Sequence, residues 1–205
     1  AGDQTIFGSL NYAKLNIGGS GIKTLGGNVE VNETITFSAA VLLSLASSDL
    51  TLGATGTLIS SSGAFGLTKM IVTDGAGTFK KEGTTAAHFS AFVTQTPAST
   101  GLYPLGTTGY FSPMSITSLA ATVAGTGSLS VRAVPSKQPN VPYYNNALIK
   151  YWEVASTNLS AITANVNFTF NAAEVIGSVS FYVPRVWDGA SLSTVTGPSA
   201  PGSNP

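Results

Sequence analysis

The sequence has no cysteine and one histidine, His88. Disulfides, thiolate nucleophiles and cysteine-ligated metals are therefore excluded, and a lone histidine cannot build a multi-histidine zinc site. Charge is scarce as well. Charged residues make up 9% of the 205 residues, against roughly 25% in ordinary soluble domains. Nine basic and nine acidic residues cancel. No basic stripe is available for nucleic acid, and no cationic face for anionic lipid. A net charge of zero also removes the repulsion that keeps copies of a chain apart. Long apolar runs are missing: "FSAAVLLSLASS" falls short of the ~20 residues a membrane helix needs. Ala1 is followed by neither a basic flank nor an apolar stretch, as expected of a mature secreted form. There is no phosphate-binding glycine loop and no G-x-S-x-G elbow.

What the sequence does contain is strand signal. Hydrophobic residues reach 43%. Val, Ile, Thr and Ser alternate with small polar residues, and Gly, Asn and Ser mark turns. No 3.6-residue period is sustained. The stretch Asn16–Phe37, "NIGGSGIKTLGGNVEVNETITF", pulses every six or seven residues. Every third pulse repeats after about twenty residues: Asn16, Thr36, Leu58 and Phe79 form one column; Glu30, Thr51 and Ile71 a second; Thr24, Leu42 and Phe65 a third. Short strands, Gly/Asn/Ser corners and a twenty-residue circuit fit a three-sided β-solenoid. The alternative is a β-sandwich with evenly spaced hairpins. Under the solenoid reading Ile17, Phe37 and Ile59 stack in one ladder and Val31, Leu52 and Val72 in another. Phe37, Leu52 and Val72 then point inward, while Glu30 and Glu33 face solvent.

After Lys80-Lys81-Glu82-Gly83 the period is lost. Longer strands are expected over Ala87–Thr94, Tyr110–Ser118, Ser128–Val134, Ala147–Ala155, Ile162–Phe170 and Ser178–Pro184, with "TPASTG", "AGTG" and "PSKQPNVP" between them. That spacing suggests an antiparallel immunoglobulin-like β-sandwich. The expected fold class is thus all-β: a β-solenoid-like domain over 1–83, an immunoglobulin-like sandwich over 84–190, and a Pro/Gly/Ser-rich tail over 191–205.

The phrases "YAKLNIGGSGIKTLGGNVEVNETITF", "GLYPLGTTGYFSPMSITS" and "IKYWEVAS" occur in that order between Tyr12 and Trp187. In wording and order they resemble the repeated surface-protein segments of Bacteroidota. The resemblance implies an extracellular protein of the kind exported by the type IX route, serving in adhesion, surface coats or gliding. It supplies no catalytic residue. The closing "GPSAPGSNP" does not resemble the sorting domain of such proteins.

A search for chemistry returns little. Glu30 and Glu33 are close in sequence, but on a strand Glu30 alternates outward between Val29 and Val31, unlike the facing pair a glycosidase needs. Asp3, Asp49, Asp74 and Asp188 are scattered, and Asp74-Gly75 and Asp188-Gly189 read as turns. No catalytic, cofactor-binding or metal-binding residue is expected. Trp152 reads as core of the sandwich. Tyr143 and Tyr144, in a Pro/Asn-rich loop, are the candidates for stacking on a sugar. Ile6, Phe7, Leu10, Tyr12 and Val195 are the candidates for assembly, because the end of a strand stack must be capped or paired. The expected function is a structural, extracellular protein that polymerises by strand pairing or end-to-end docking. The alternative is a non-catalytic adhesive or glycan-binding module of a larger adhesin.

Overall fold

The structure, a computed structural model, describes residues 2–99, 101–141, 145–195 and 203–204. Among them the fold is all-β. The longest helical element is a four-residue 3-10 turn, Ala86–Phe89, and no helix is long and apolar enough to cross a membrane.

The chain first lays down circuits. Strands β1 (Gln4–Ile6) and β2 (Leu10–Ile17) form the first, and β3 (Ile22–Leu25) and β4 (Val29–Phe37) the second. The third comprises β5 (Leu42–Ser44), β6 (Leu50–Leu52) and β7 (Thr57–Ser60). The fourth comprises β8 (Met70–Val72), β9 (Phe79–Gly83) and β10 (Val93–Thr94). The pairings from one circuit to the next are parallel. They form three columns. One is β1–β3–β5–β8. The early residues of β2 and β4 continue into β6 and β9, and their later residues into β7 and β10. Alternate residues point inward and are lost to solvent: Phe37, Leu43, Leu50, Leu52 and Leu58 are each 0% exposed.

Corners close because small or polar residues sit there. A Cβ on Gly8 would run into the backbone of Gly27 in the next circuit, so two glycines can stack where two side chains cannot. At the next corner the Asp49 amide donates to Asn28 Oδ1 (2.9 Å), and Thr78 donates to Asp49 Oδ1 through its amide and its hydroxyl, both at 2.8 Å. These bonds satisfy backbone groups that a turn leaves without a ladder partner.

The register holds for two steps and then departs from the expected period. Ile17 lies beside Phe37 and Val31 beside Leu52, as expected. Phe37, however, meets Ser60 rather than Ile59. Leu52 meets Lys81, and Val72 stands in another column beside Ser44. Gln4 pairs with Lys23 and Ile22 with Leu42, steps of 19 and 20 residues, whereas Leu42 pairs with Met70 and Leu58 with Val93, steps of 28 and 35. The added residues carry aromatic plugs. Phe65 returns over the core with its ring edge-on to Phe37 at 5.3 Å. Phe92 packs on Tyr103 at 5.0 Å, and Tyr103 on Phe79 at 5.9 Å.

The sheets continue past Gly83, so the boundary expected at 83/84 is not where pairing stops. Next come β11 (Leu102–Tyr103), β12 (Leu105–Thr107), β13 (Tyr110–Phe111) and β14 (Met114–Val134). Strand β12 adds in parallel to β8, and β14 adds antiparallel to β9. After β15 (Ala147–Leu148), strand β16 (Tyr151–Phe168) pairs antiparallel with β14 along most of its length. Two strands thus stand where four of the six separate sandwich strands were expected. The "AGTG" segment, read as a loop, lies in a register shift between Val123 and Ser128 inside one continuing strand. The ribbon doubles back. Trp152 and Phe168, at opposite ends of β16, have ring centroids 4.9 Å apart, whereas a straight strand would separate them by about 50 Å. Asn158 and Ala161, both at positive φ, sit at the bend.

The chain continues through β17 (Phe170–Asn171), β18 (Val175–Ile176), β19 (Arg185–Trp187), β20 (Leu192–Thr194) and β21 (Ser203–Asn204). Strand β15 pairs with β18, β17 with β21 and β19 with β20. The tail expected from 191 is therefore partly strand.

One row of inward residues crosses the larger sheet from margin to margin: Leu10, Val29, Leu50, Phe79, Val131 and Val154. The middle four are buried. Leu10 and Val154, at the two ends, are 49% and 47% exposed.

Candidate functional site

The few charged groups are largely occupied in holding the backbone. All four aspartates accept backbone N–H bonds: Asp3 from Ile22, Asp49 from Thr78, Asp74 from Thr108, and Asp188 from Ala190 and Ser191. Four glutamates form ion pairs, Glu33 with Lys14, Glu82 with Lys80, Glu153 with Arg132 and Glu174 with Lys150. Glu30 is half-buried on the outward row beside Thr51, and Glu33 is exposed. The described residues hold no cluster of three potential metal ligands.

Four of the nine basic residues are buried, namely Lys23, Lys69, Lys81 and Lys150. Lys23 donates to the carbonyls of Gly2 (2.8 Å) and Ser20 (2.6 Å). Lys69 donates to Ser60 Oγ and Ser62 Oγ, each at 2.9 Å, and to the Ser62 carbonyl. Lys81 reaches the carbonyls of Gly53, Ala54 and Glu82 at 2.7, 2.8 and 2.6 Å. A lysine offers three donors and no acceptor, which suits it to gather the carbonyls a corner leaves unpaired. Burial lowers the Lys81 pKa to about 8, with Glu82 opposing.

Two clefts border these lysines. The larger, about 360 Å³, is lined by Asp74, Thr108, Tyr110, Lys150 and Glu174 among others. The Lys150 and Glu174 side chains at its floor are each 1% exposed. Lys150 Nζ donates to Ser112 Oγ (2.5 Å), which in turn donates to Glu174 Oε2 (3.3 Å). The Asn171 amide also donates to Oε2 (2.8 Å). Glu174 Oε1 has no aligned donor and is held by the Lys150 charge. Burial pulls the Lys150 pKa down, and Glu174 and Asp74 oppose that shift. A desolvated lysine can act as a nucleophile. Here the amine is tied to a carboxylate and a hydroxyl, and the trio fastens β16 and the Ala172–Glu174 turn to the segment between β13 and β14. Lys150 is the basic residue of the "IKYW" phrase; nothing in the sequence marked Glu174 as its partner.

The smaller cleft, about 110 Å³, lies among Thr57, Lys81, His88 and Phe92. His88 Nδ1 accepts from the Thr84 amide (3.1 Å), so the histidine closes a turn. Trp152 is half-buried, with its Nε1 donating to the Ser112 carbonyl (2.9 Å).

Tyr143 and Tyr144 lie outside the described residues. Ile6, Phe7, Leu10 and Tyr12 come together at the free margin of the first circuit. Ile6 and Tyr12 are half-buried, Phe7 is 79% exposed, and Tyr12 Oη donates to the Phe7 carbonyl. Val195 does not join them. It follows the β19–β20 pair, and its amide donates to the Pro184 carbonyl (3.1 Å). The opposite margin of the larger sheet is β16, in which Glu153–Thr157 are exposed and which pairs with β14 alone among the described strands. That margin escaped the sequence reading.

Comparison of the chain with family models, curated proteins and solved structures gives no match.

Proposed function

We propose that this chain is an extracellular structural protein of a bacterial cell surface, which assembles with copies of itself into a filament or coat by β-strand pairing. Its parallel circuits are read as a short three-sided β-solenoid. The observation that carries the proposal is the larger sheet, in which β2 and β16, much longer than its two-residue outer strands β10 and β11, each pair on one side only among the described strands. Unpaired strand margins are templates for another strand. A net charge of zero leaves no long-range repulsion between copies. The resemblance to Bacteroidota surface segments supports the location. The reading includes no catalytic turnover, in keeping with acids that hold turns or ion pairs.

The test is to concentrate the purified chain and follow it by sedimentation velocity and negative-stain electron microscopy. Species that lengthen with concentration are expected. A chain that stays monomeric throughout replaces this proposal with the adhesive or glycan-binding module, for which Tyr143 and Tyr144 are then the residues to change.

A further inference from the structure

The two long outer strands of the larger sheet, β2 and β16, run in the same direction. Strands β2, β4, β6 and β9 are mutually parallel; β14 is antiparallel to β9, and β16 is antiparallel to β14. Two reversals restore the original sense. The smaller sheet differs: its outer strands β1 and β13 run in opposite senses, because β13 reverses on β12 while every earlier pairing is parallel. Only the larger sheet can therefore take a further copy in the orientation its own circuits use.

Resting on the assembly reading above, we propose that β2 of one copy pairs in parallel with β16 of the next, setting Leu10 beside Val154 and extending the inward row from copy to copy. Those two residues are the half-exposed ends of that row. The contact covers Leu10–Tyr12 against Val154–Ser156, the same three-residue length that joins β4 to β6 and β6 to β9. Neither strand contains proline. Each carries few charges, and the Lys14 and Glu153 side chains are already paired within their own chain, with Glu33 and Arg132. Edge prolines and free lysines, the usual devices that keep strand margins apart, are thus missing. Each addition uses one margin and leaves the other free, so the contact is head-to-tail, which extends as an open filament wherever the rotation between copies does not close a ring.

The chain has no cysteine, so introduced thiols report without background. The double variant Leu10→Cys/Val154→Cys, mildly oxidised during assembly, should give a ladder of covalent multimers on a non-reducing gel that reductant collapses. Either single variant should give none. Because both sites are half-exposed, Leu10→Lys and Val154→Lys should fold and melt as the parent does, yet each should lose at least tenfold in pelletable assembly. Mixed in equal amounts, the two lysine variants should form a one-to-one pair and nothing longer, since one intact margin remains on each. Assembly that persists in either lysine variant, or a double-cysteine variant that assembles without a covalent ladder, overturns this assignment of margins and leaves self-assembly standing. A parent chain that never assembles overturns both.

Discussion

The stack of circuits and the doubled ribbon are built from similar residues and bury them very differently. In the stack, interior strands have a neighbour on each side, and Phe37, Leu50 and Leu58 are sealed from water. In the ribbon, β14 buries Met114, Ile116, Leu129 and Val131, while β16, one strand further out, leaves Val154, Ile162, Val166 and Phe168 at 37–47% exposure. Those side chains are as apolar as their counterparts in the stack. Burial in this molecule follows a strand's place in the sheet more closely than it follows the hydrophobicity of the segment.

Substitution sharpens that contrast. Phe37→Ala should cost about 3–5 kcal/mol, the usual range for an emptied aromatic site in a core, whereas Val166→Ala on the ribbon should cost less than about 1 kcal/mol. Urea denaturation of the two variants side by side measures the difference, and equal losses would show that the ribbon is as well packed as the stack. The buried Lys150–Glu174 ion pair beside the ribbon comes next. Glu174→Gln leaves the Lys150 charge buried without a counter-charge and should cost about 3 kcal/mol; Lys150→Met/Glu174→Leu should recover most of the loss. A double-mutant cycle that finds no coupling would mean that water reaches the pair.

The third effect is a dependence on pH. Burial holds the Lys81 pKa at about 8, below its value in an unfolded chain, ~10.5. Between those values the unfolded chain binds more protons, so stability rises with pH, by on the order of 1–3 kcal/mol. Lys69 and Lys150 shift in the same direction through burial. Tyr103, whose buried hydroxyl resists ionisation, works in the opposite sense once an unfolded tyrosine ionises, at about pH 10. Urea midpoints should therefore rise from pH 8 toward pH 10, and Lys81→Met should flatten the slope. A smaller loss, about 1–2 kcal/mol, is expected for Asp49→Ala, which strips the corner at Thr78 of its acceptor; calorimetry would register it as a lowered Tm. Least of all should be Val154→Ser, within about 0.5 kcal/mol of the parent, and a larger shift would mark Val154 as core.

The three columns were legible because short strands with glycine and asparagine corners repeat their inward residues at a near-constant interval. Phe37, Leu52 and Val72 are buried as that pattern requires. The register beyond Ser60 was not legible, since Phe65 and Phe92 are brought over the core by insertions whose length no period encodes. The "AGTG" segment misled for a different reason. A glycine at positive φ, Gly125 here, serves a chain reversal and a wide bulge equally well, so composition alone could not tell six strands from a folded ribbon. The free margin at Phe7 and Leu10 could be read from a strand-prone opening segment. The margin at β16 could not, because its residues had been divided between two shorter strands. The lysines hid best. In sequence they look like surface charge, and their partners are carbonyls, which every residue possesses.

The inward lysines also bear on digestion. A trypsin-like protease cuts after lysine and arginine and must draw the chain out to do so. Four of the nine sites it could use have their side chains folded into the protein, at Lys23, Lys69, Lys81 and Lys150. Lys80 and Arg132 sit within paired strands. Lys14 and Arg185 are exposed, and Lys14 lies on β2, the margin that a neighbouring copy would cover. Resistance of this fold to such a protease would rest on where its basic residues point, since an enzyme that reads lysine would find few places to begin.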